Sequence, residues 1–312
     1  MKKVFIIDGG AGRAITAIPA LEKYIKSHPE EDIKIFIAGW DSLFWSNKIL
    51  QDHTFNLDDK GVFDNHIKYA DEVIRPEPYI LPEYFKQKVS LIEAFDIIIN
   101  GDNSKLLKPN LYLSNSEKTF GLKIIDDVKK YQKKEKTIVV QPYGSTARFE
   151  SIPGNDDVID DSNRSFTLLM YSFLVKKLSE KYNIILFSDK QFHFEEDNFS
   201  YKLNADLRTH MSAIDAADYF VGCDSVGQHM ARAFDKPGTI IFGSTFPENV
   251  SYPNWFNIVD KNKETRVYSP LRINMMDCKM ADRINNDCMD YSIKDLETIY
   301  SLIVKDIEKK VG

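Results

Sequence analysis

The sequence predicts an α/β protein built from two Rossmann-like halves, and three observations predict it. Short apolar runs alternate with longer amphipathic stretches along most of the chain. At 312 residues the chain is too long for one ordinary core and fits two domains of about 150 residues. A polar, lysine-rich stretch, "DDVKKYQKKEK" (126–136), interrupts the alternation just before a fresh apolar run. Strand, loop and helix in alternation imply right-handed crossovers and parallel sheets.

The apolar runs read as buried strands are "KVFIID" (3–8), "IKIFIAG" (33–39), "AFDIIING" (94–101), "KTIVVQPYG" (136–144), "NIILFSD" (183–189), "ADYFVGCDS" (217–225) and "GTIIFGS" (238–244). Helical patterns lie between them, as in "AITAIPALEKYIKSH" and "SFTLLMYSFLVKKLSEKY". The last segment spaces Leu296, Ile299, Leu302 and Ile303 as one helix face, which predicts a terminal helix packed on the domains. The expected division is 1–132, 133–290 and a closing helix over 291–312. The lysine-rich stretch reads as a solvated helix end and linker.

Composition narrows the function classes. Apolar residues at 43% and charged residues at 28% are those of a soluble globular protein. A net charge of -6 argues against a large sequence-independent grip on nucleic acid. Cys223, Cys278 and Cys288 are too few and too scattered for a disulfide framework, and no C-x-x-C pair suggests zinc. The opening "MKKVFIIDGGAG" has four apolar residues before an aspartate, a buried strand rather than a signal peptide. No run approaches 18 apolar residues, so no membrane insertion is expected, and the expected compartment is a reducing cytoplasm.

In sheets of this kind ligands lie beyond the carboxyl ends of the strands. The first such loop, "DGGAGRAI" (8–15), has Gly10 and Gly12 but Ile15 where a dinucleotide fingerprint needs its third glycine. The second strand ends without an acid for a ribose, and the two failures together argue against a nicotinamide or flavin enzyme. The loop after the fourth strand offers Gly144, Ser145, Thr146 and Arg148: backbone N–H groups, two hydroxyls and a guanidinium, which suit a phosphate or form an ordinary polar turn. "GCDSVGQHMARAF" (222–234) sets Asp224, Ser225, Gly227 and His229 at the start of a small-residue helix. Asp224 or Ser225 would cap that helix, and its N-terminus would be an anion site with His229 one turn in; the plainer alternative is a capped structural helix with a core histidine.

The run "CDSVGQHMARAFDKPGTIIFGSTFP" resembles the signature of the ADP-heptose:lipopolysaccharide heptosyltransferases, glycosyltransferase family 9. "GAGRAITAIPALEKY" is similar to that family's first loop and helix, and "VVQPYGSTARF" sits where its middle phosphate loop sits. The resemblance covers most of the C-terminal half and the first 25 residues. It implies the GT-B fold: two Rossmann-like domains with parallel sheets facing a central cleft, the first binding an acceptor and the second a nucleotide-sugar donor. The reaction the resemblance implies is inverting attack of an acceptor hydroxyl on the anomeric carbon, with no cofactor beyond the donor itself. No Asp-x-Asp pair, the usual metal–diphosphate anchor, occurs in the chain, so a metal-independent version is expected, with Gly144–Arg148, Asp224, Ser225, Gly227 and His229 at the phosphates.

One departure matters. Aligning Pro19 with the family's motif proline puts Arg13 where the family has its general-base aspartate, and an arginine cannot serve as a base. Asp8 is then the nearest acid, with Asp41 and Asp102 also after expected strands, and Arg13 would suit an anionic acceptor or the donor phosphates. Two alternatives accompany this reading. One is a GT-B enzyme acting on a modified DNA base through Lys86, Lys88, Lys105 and Lys108; the other is a nucleotide-sugar binding protein that has lost catalysis. The acceptor could be a surface glycan, a lipid-linked sugar or such a base.

Overall fold

A computed structural model describes residues 1–103, 108–152, 155–188, 199–260, 272–274, 279–280 and 287–312. The chain divides into two compact units, Met1–Ser114 and Asn115–Gly312. Lys105 and Cys278 lie outside the described residues.

The first unit runs β1 (Lys2–Ile7), α1 (Ala11–Ser27), β2 (Asp32–Ile37), β3 (Thr54–Asn56), α2 (Val62–Asn65), β4 (Glu72–Ile74), α3 (Pro82–Phe85) and α4 (Leu91–Asn100). Its sheet has the order β3-β2-β1-β4, with every pair parallel. The carboxyl ends of β1, β2 and β4 therefore share one edge. Residues 94–101, expected as a strand, are helical. Ser90 accepts from the Glu93 N–H while the Glu93 carboxylate accepts from the Ser90 N–H, a reciprocal cap, and Gly101 closes the helix at φ 69°. That local chemistry overrides the β-branched run. The buried Asp96 takes bonds from Lys23 Nζ (3.0 Å) and Asn100 Nδ2 (2.7 Å), so it is satisfied. Asp102 consequently follows a helix, where Lys23 holds it at 2.9 Å.

The second unit runs α5 (Asn115–Gln132), β5 (Thr137–Gln141), β6 (Arg148–Ile152), β7 (Asn155–Ile159), α6 (Leu168–Ser179), β8 (Asn183–Phe187), β9 (Tyr201–Leu203) and α7 (Leu207–Ala216). It continues with β10 (Tyr219–Cys223), α8 (Val226–Ala233), β11 (Gly238–Ile241), α9 (Pro247–Val250), β12 (Asn257–Val259), the short pair β13 (Arg272–Asn274) and β14 (Lys279–Met280), and α10 (Ile293–Lys310). Six strands form one parallel sheet, β12-β11-β10-β5-β8-β9. Counted in chain order without the β6–β7 hairpin, this is the 3-2-1-4-5-6 order of dinucleotide-binding sheets. β5, β8 and β10 are buried on both faces, which is why their sequences read as unbroken apolar runs rather than alternating ones.

Two expectations shift. The units meet at 114/115 rather than 132/133, because α5 belongs with α7: a Cβ on Gly121 would lie 2.2 Å from the Ser212 carbonyl oxygen, and Arg208 pairs with Glu117 at 2.7 Å. The lysine-rich stretch is the exposed end of α5. The closing helix packs into the second unit's core through Leu296, Ile299, Ile303 and Ile307, while Leu302 faces solvent. Among the described residues no helix is long and apolar enough to cross a membrane.

Candidate functional site

In a 3-2-1-4-5-6 sheet the ligand crevice opens beyond the carboxyl ends of the first and fourth strands, here β5 and β10. The side chains that meet there are Gln141, from the end of β5, and Asp224 and Ser225, from the end of β10. Ser225 is the residue before α8, with extended backbone, but its side chain does not cap the helix. Gln141 does so instead. Its Oε1 accepts from the Gly227 N–H at 2.7 Å, and its Nε2 donates to Ser225 Oγ at 3.2 Å. The absence of a side chain at 227 makes this possible, since a Cβ there would lie 2.5 Å from Gln141 Oε1 and 2.7 Å from the Phe220 ring.

Asp224 is buried and accepts from Gln228 Nε2 (2.6 Å) and Thr245 Oγ1 (2.8 Å). Thr245 belongs to the strand-end loop after β11, so the two halves of the signature meet through one carboxylate. Ser244 of that loop donates to the Ser162 carbonyl at 2.6 Å.

The 160–165 loop carries a cluster that sequence reasoning missed. The Asp160 carboxylate accepts from Ser162 N (2.8 Å) and Oγ (2.5 Å), Ser165 N (3.0 Å) and Oγ (2.6 Å), and Thr146 Oγ1 (2.8 Å). Burial pushes its pKa up, but the hydroxyls of Ser162 and Ser165, the Arg164 charge and the Thr146 hydroxyl outweigh that and hold it well below the usual carboxylate range. On this scaffold stands Arg164. Its Nε donates to Ser162 Oγ at 3.0 Å, and a terminal nitrogen lies 3.8 Å from Asp224 Oδ2. The guanidinium, a quarter exposed, is thus placed beside the β10 strand end. No motif announced it: "DDSNRS" reads as an ordinary polar loop.

The sequence-derived residues separate into three groups. Asp224, Ser225 and Gly227 converge at the crevice. Gly144 and Thr146 support the 160–165 loop, Gly144 N–H donating to Ser165 Oγ at 3.0 Å, while Ser145 is exposed and Arg148 pairs outward with Asp161 at 2.8 Å. His229 does not open to the strand-end mouth. It is buried, with Nδ1 2.7 Å from the Tyr252 hydroxyl, and burial pushes its pKa down to about 3. The same cause brings His210, stacked on Phe187 at 4.1 Å, down to about 4. A histidine neutral in the fold and protonatable when unfolded contributes stability above its unfolded pKa of about 6.5 and loses it as pH falls towards the folded value. Stability of the second unit is therefore expected to decline from about pH 6.5 towards pH 4, with His229→Gln removing up to about 1.4 kcal/mol per pH unit of that slope. Urea titrations at several pH values measure it; an unchanged slope would mean that His229 is protonated in the folded state.

In the first unit, Asp8 follows β1 and Arg13 lies in the first turn of α1. Arg13 is buried, and its guanidinium is committed: to Glu77 at 3.1 and 3.2 Å, to the Pro76 carbonyl at 2.7 Å and to Asp8 at 3.2 Å. It also lies over the rings of Tyr79 and Phe95. The expectation of a guanidinium presented to an anionic ligand is therefore corrected: Arg13 ties the loop after β4 to the loop after β1. Asp8 is gripped from its other side by Arg75. Asp41 accepts from Asn56 Nδ2 at 3.1 Å. Of the four lysines weighed for nucleic acid, Lys108 borders a recess of about 530 Å³ with Lys23, Lys26 and Glu22, and Lys86 and Lys88 follow α3. A larger recess, about 1000 Å³, opens in the second unit beside Asp160, Ser165, Phe166, Thr167 and Tyr291, a volume at the upper end for small-molecule sites.

No protein-family model and no curated protein sequence matches the chain. Solved structures do. The ADP-heptose LPS heptosyltransferase II of Escherichia coli is 14% identical, with a TM-score of 0.63 over 98% of this chain and 99% of that one. A glycosyltransferase family 9 protein of Veillonella parvula is 10% identical, with a TM-score of 0.62 over 97% and 98%. The dodecameric iron-containing heptosyltransferase TibC, solved with ADP-D-beta-D-heptose, is 12% identical, with a TM-score of 0.55 over 99% and 75%. The chain has the α/β fold of these glycosyltransferases, a GT-B fold with two Rossmann-like units on parallel sheets, in accord with the resemblance in the signature.

Proposed function

We propose that the chain is a glycosyltransferase that moves a sugar from a nucleotide-diphosphate donor, bound at the β5–β10 crevice of the second unit, to an acceptor hydroxyl bound by the first unit. The observation that carries the reading is the placement of Arg164, Ser225 and the Asp224–Thr245 pair where a 3-2-1-4-5-6 sheet receives its ligand. The fold shared with a heptosyltransferase solved with ADP-D-beta-D-heptose supports a nucleotide-sugar donor.

In this reading the reaction is inverting and metal-independent. The acceptor oxygen forms its bond to the anomeric carbon as the bond to the diphosphate breaks, and the acceptor proton passes to a carboxylate, Asp8. The departing diphosphate needs positive charge, and Arg164 provides it by exchanging its loose 3.8 Å approach to Asp224 for the phosphate oxygens. Gln141 and Gly227 keep the start of α8 in place, and Gly144 and Thr146 act through the 160–165 loop rather than at the phosphates.

A thermal-shift panel of nucleoside diphosphates and their sugars tests it, since a ligand that binds only the folded state raises the midpoint. At least one diphosphate is expected to stabilise the protein, and Arg164→Ala should weaken that binding about ten- to a hundredfold, the effect of removing one charge-assisted contact. No shift with any nucleotide would overturn the donor site. A shift without transfer or donor hydrolysis would leave the binding-protein alternative standing.

A further inference from the structure

Asp8 is held by two guanidiniums of unequal standing. β1 and β4 are neighbours in one parallel sheet, so the residues that follow them, Asp8 and Arg75, leave it side by side. Arg13 lies 3.2 Å from Asp8 Oδ1, its side chain only 3% exposed and fixed by Glu77, the Pro76 carbonyl and the rings of Tyr79 and Phe95. Arg75 donates to Asp8 Oδ2 through Nε at 2.7 Å and through a terminal nitrogen. Its side chain is 56% exposed, and among the described residues it pairs with nothing else. Among the described residues, too, no other charged group contacts Asp8. Both oxygens of the carboxylate thus face a guanidinium, and neither is open to a hydroxyl proton. Only Oδ2 can be freed easily. An ion pair with one partner mostly in water is weak, whereas Arg13 could leave only by stranding the largely covered Glu77.

We infer that Arg75 is a removable guard on Asp8: it occupies the oxygen that receives the acceptor's proton and yields it to a bound acceptor but not to water. A bound acceptor presents its hydroxyl to Oδ2 at an effective concentration that water, free to turn and leave, does not match. The acceptor O–H then replaces the guanidinium N–H as donor to Oδ2, so the oxygen exchanges one hydrogen bond for another. Its proton passes to Oδ2 as the acceptor oxygen bonds to the anomeric carbon and the bond to the diphosphate breaks. Water in the same place would hydrolyse the donor, its proton taking the same path. Arg75 therefore sets the preference for transfer over hydrolysis, as a positioning residue that touches the base and not the reacting atoms. This inference rests on Asp8 being the general base of a nucleotide-sugar transferase, as proposed above.

Donor hydrolysis in the absence of acceptor reads the guard. Each nucleotide sugar of the thermal-shift panel is incubated with the full-length chain, and release of nucleoside diphosphate is followed. Arg75→Met, and equally Arg75→Ala, should release it at least about tenfold faster than the parent, because a freed base recovers part of an effect of about 10²–10⁴-fold. Adding Asp8→Asn should bring the rate back to the parental level or below. A merely structural role would lower activity on substitution rather than raise it. The exposed side chain makes these variants safe to fold, and a retained nucleotide shift checks that they have. Hydrolysis no faster than the parent's in a variant that keeps the shift, or a faster rate that survives Asp8→Asn, would overturn the inference while leaving the donor site standing. No shift in the parent with any nucleotide would mean that the donor reading itself has failed, and the guard falls with it.

Discussion

Replacing Asp160 by alanine is expected to cost the second unit about 3–5 kcal/mol, because it strips several donors of their acceptor at once. The backbone N–H groups of Ser162 and Ser165, both hydroxyls of those residues and the Thr146 hydroxyl all converge on this carboxylate. Thermal unfolding should fall by about 2–4 °C per kcal/mol for a unit of this size. The pH dependence follows from the direction of the shift. A carboxyl whose folded pKa is depressed contributes stability above its unfolded pKa, and that contribution is lost as pH falls through the folded value. The gap between the parent and Asp160→Ala should therefore be full at neutral pH and begin to narrow only below about pH 4. Asp160→Asn separates charge from hydrogen bonding: it keeps one acceptor oxygen but turns two N–H donors towards groups that also donate, so it should recover little. A variant that unfolds with the parent at pH 7 would show that neither the 160–165 loop nor the placement of Arg164 depends on this carboxylate.

How far the sequence could be read depended on where each interaction lay along the chain. β5, β8, β10 and β11 were legible because a strand buried on both faces must be apolar throughout. The same rule misread 94–101, where Ile97, Ile98 and Ile99 look like a strand but the deciding group is the Ser90–Glu93 cap outside the window. β3 and β4 are three residues each, too short to stand out. Asp224 and Ser225 could be placed together from the sequence because they are neighbours at a strand end. Arg164 was not, since its partner Asp224 is 60 positions away and a polar loop announces nothing about what it will face. Gln141 was invisible for the same reason: its cap on Gly227 joins residues 86 apart. The pattern reads elements and local caps, while the site is made by pairs that only the sheet order brings together.

The second large effect is at Arg13, where the structure changes the expectation. Were its guanidinium held out to a ligand, Arg13→Met would raise the substrate concentration needed and leave stability alone. It is instead buried between Asp8 and Glu77, and removing one partner of a buried ionic cluster costs up to about 3–5 kcal/mol because a charge, here that of the largely covered Glu77, loses its compensation. Arg13→Met should therefore destabilise the first unit by that order, and Arg13→Asp by more, since it would set three carboxylates together. The rescue is specific. With Glu77→Gln added, one uncompensated charge is gone while a side-chain oxygen remains to accept from the Tyr79 N–H, so the double variant should recover a large part of the loss, a coupling that a thermodynamic cycle reads directly. Asp8 would keep Arg75 as its partner in every variant, which allows the chemistry to be probed apart from the fold. As general base, Asp8→Asn should lower turnover by about 10²–10⁴-fold while sparing the nucleotide-induced shift. Should Asp8→Asn turn over at the parental rate, Asp8 is a structural member of the arginine cluster, and Asp41, on the same strand-end edge, becomes the acid to test. Should Arg13→Met unfold with the parent and lose only substrate affinity, the ligand-binding role of Arg13 would be restored and its ion pairs with Asp8 and Glu77 would be incidental to stability.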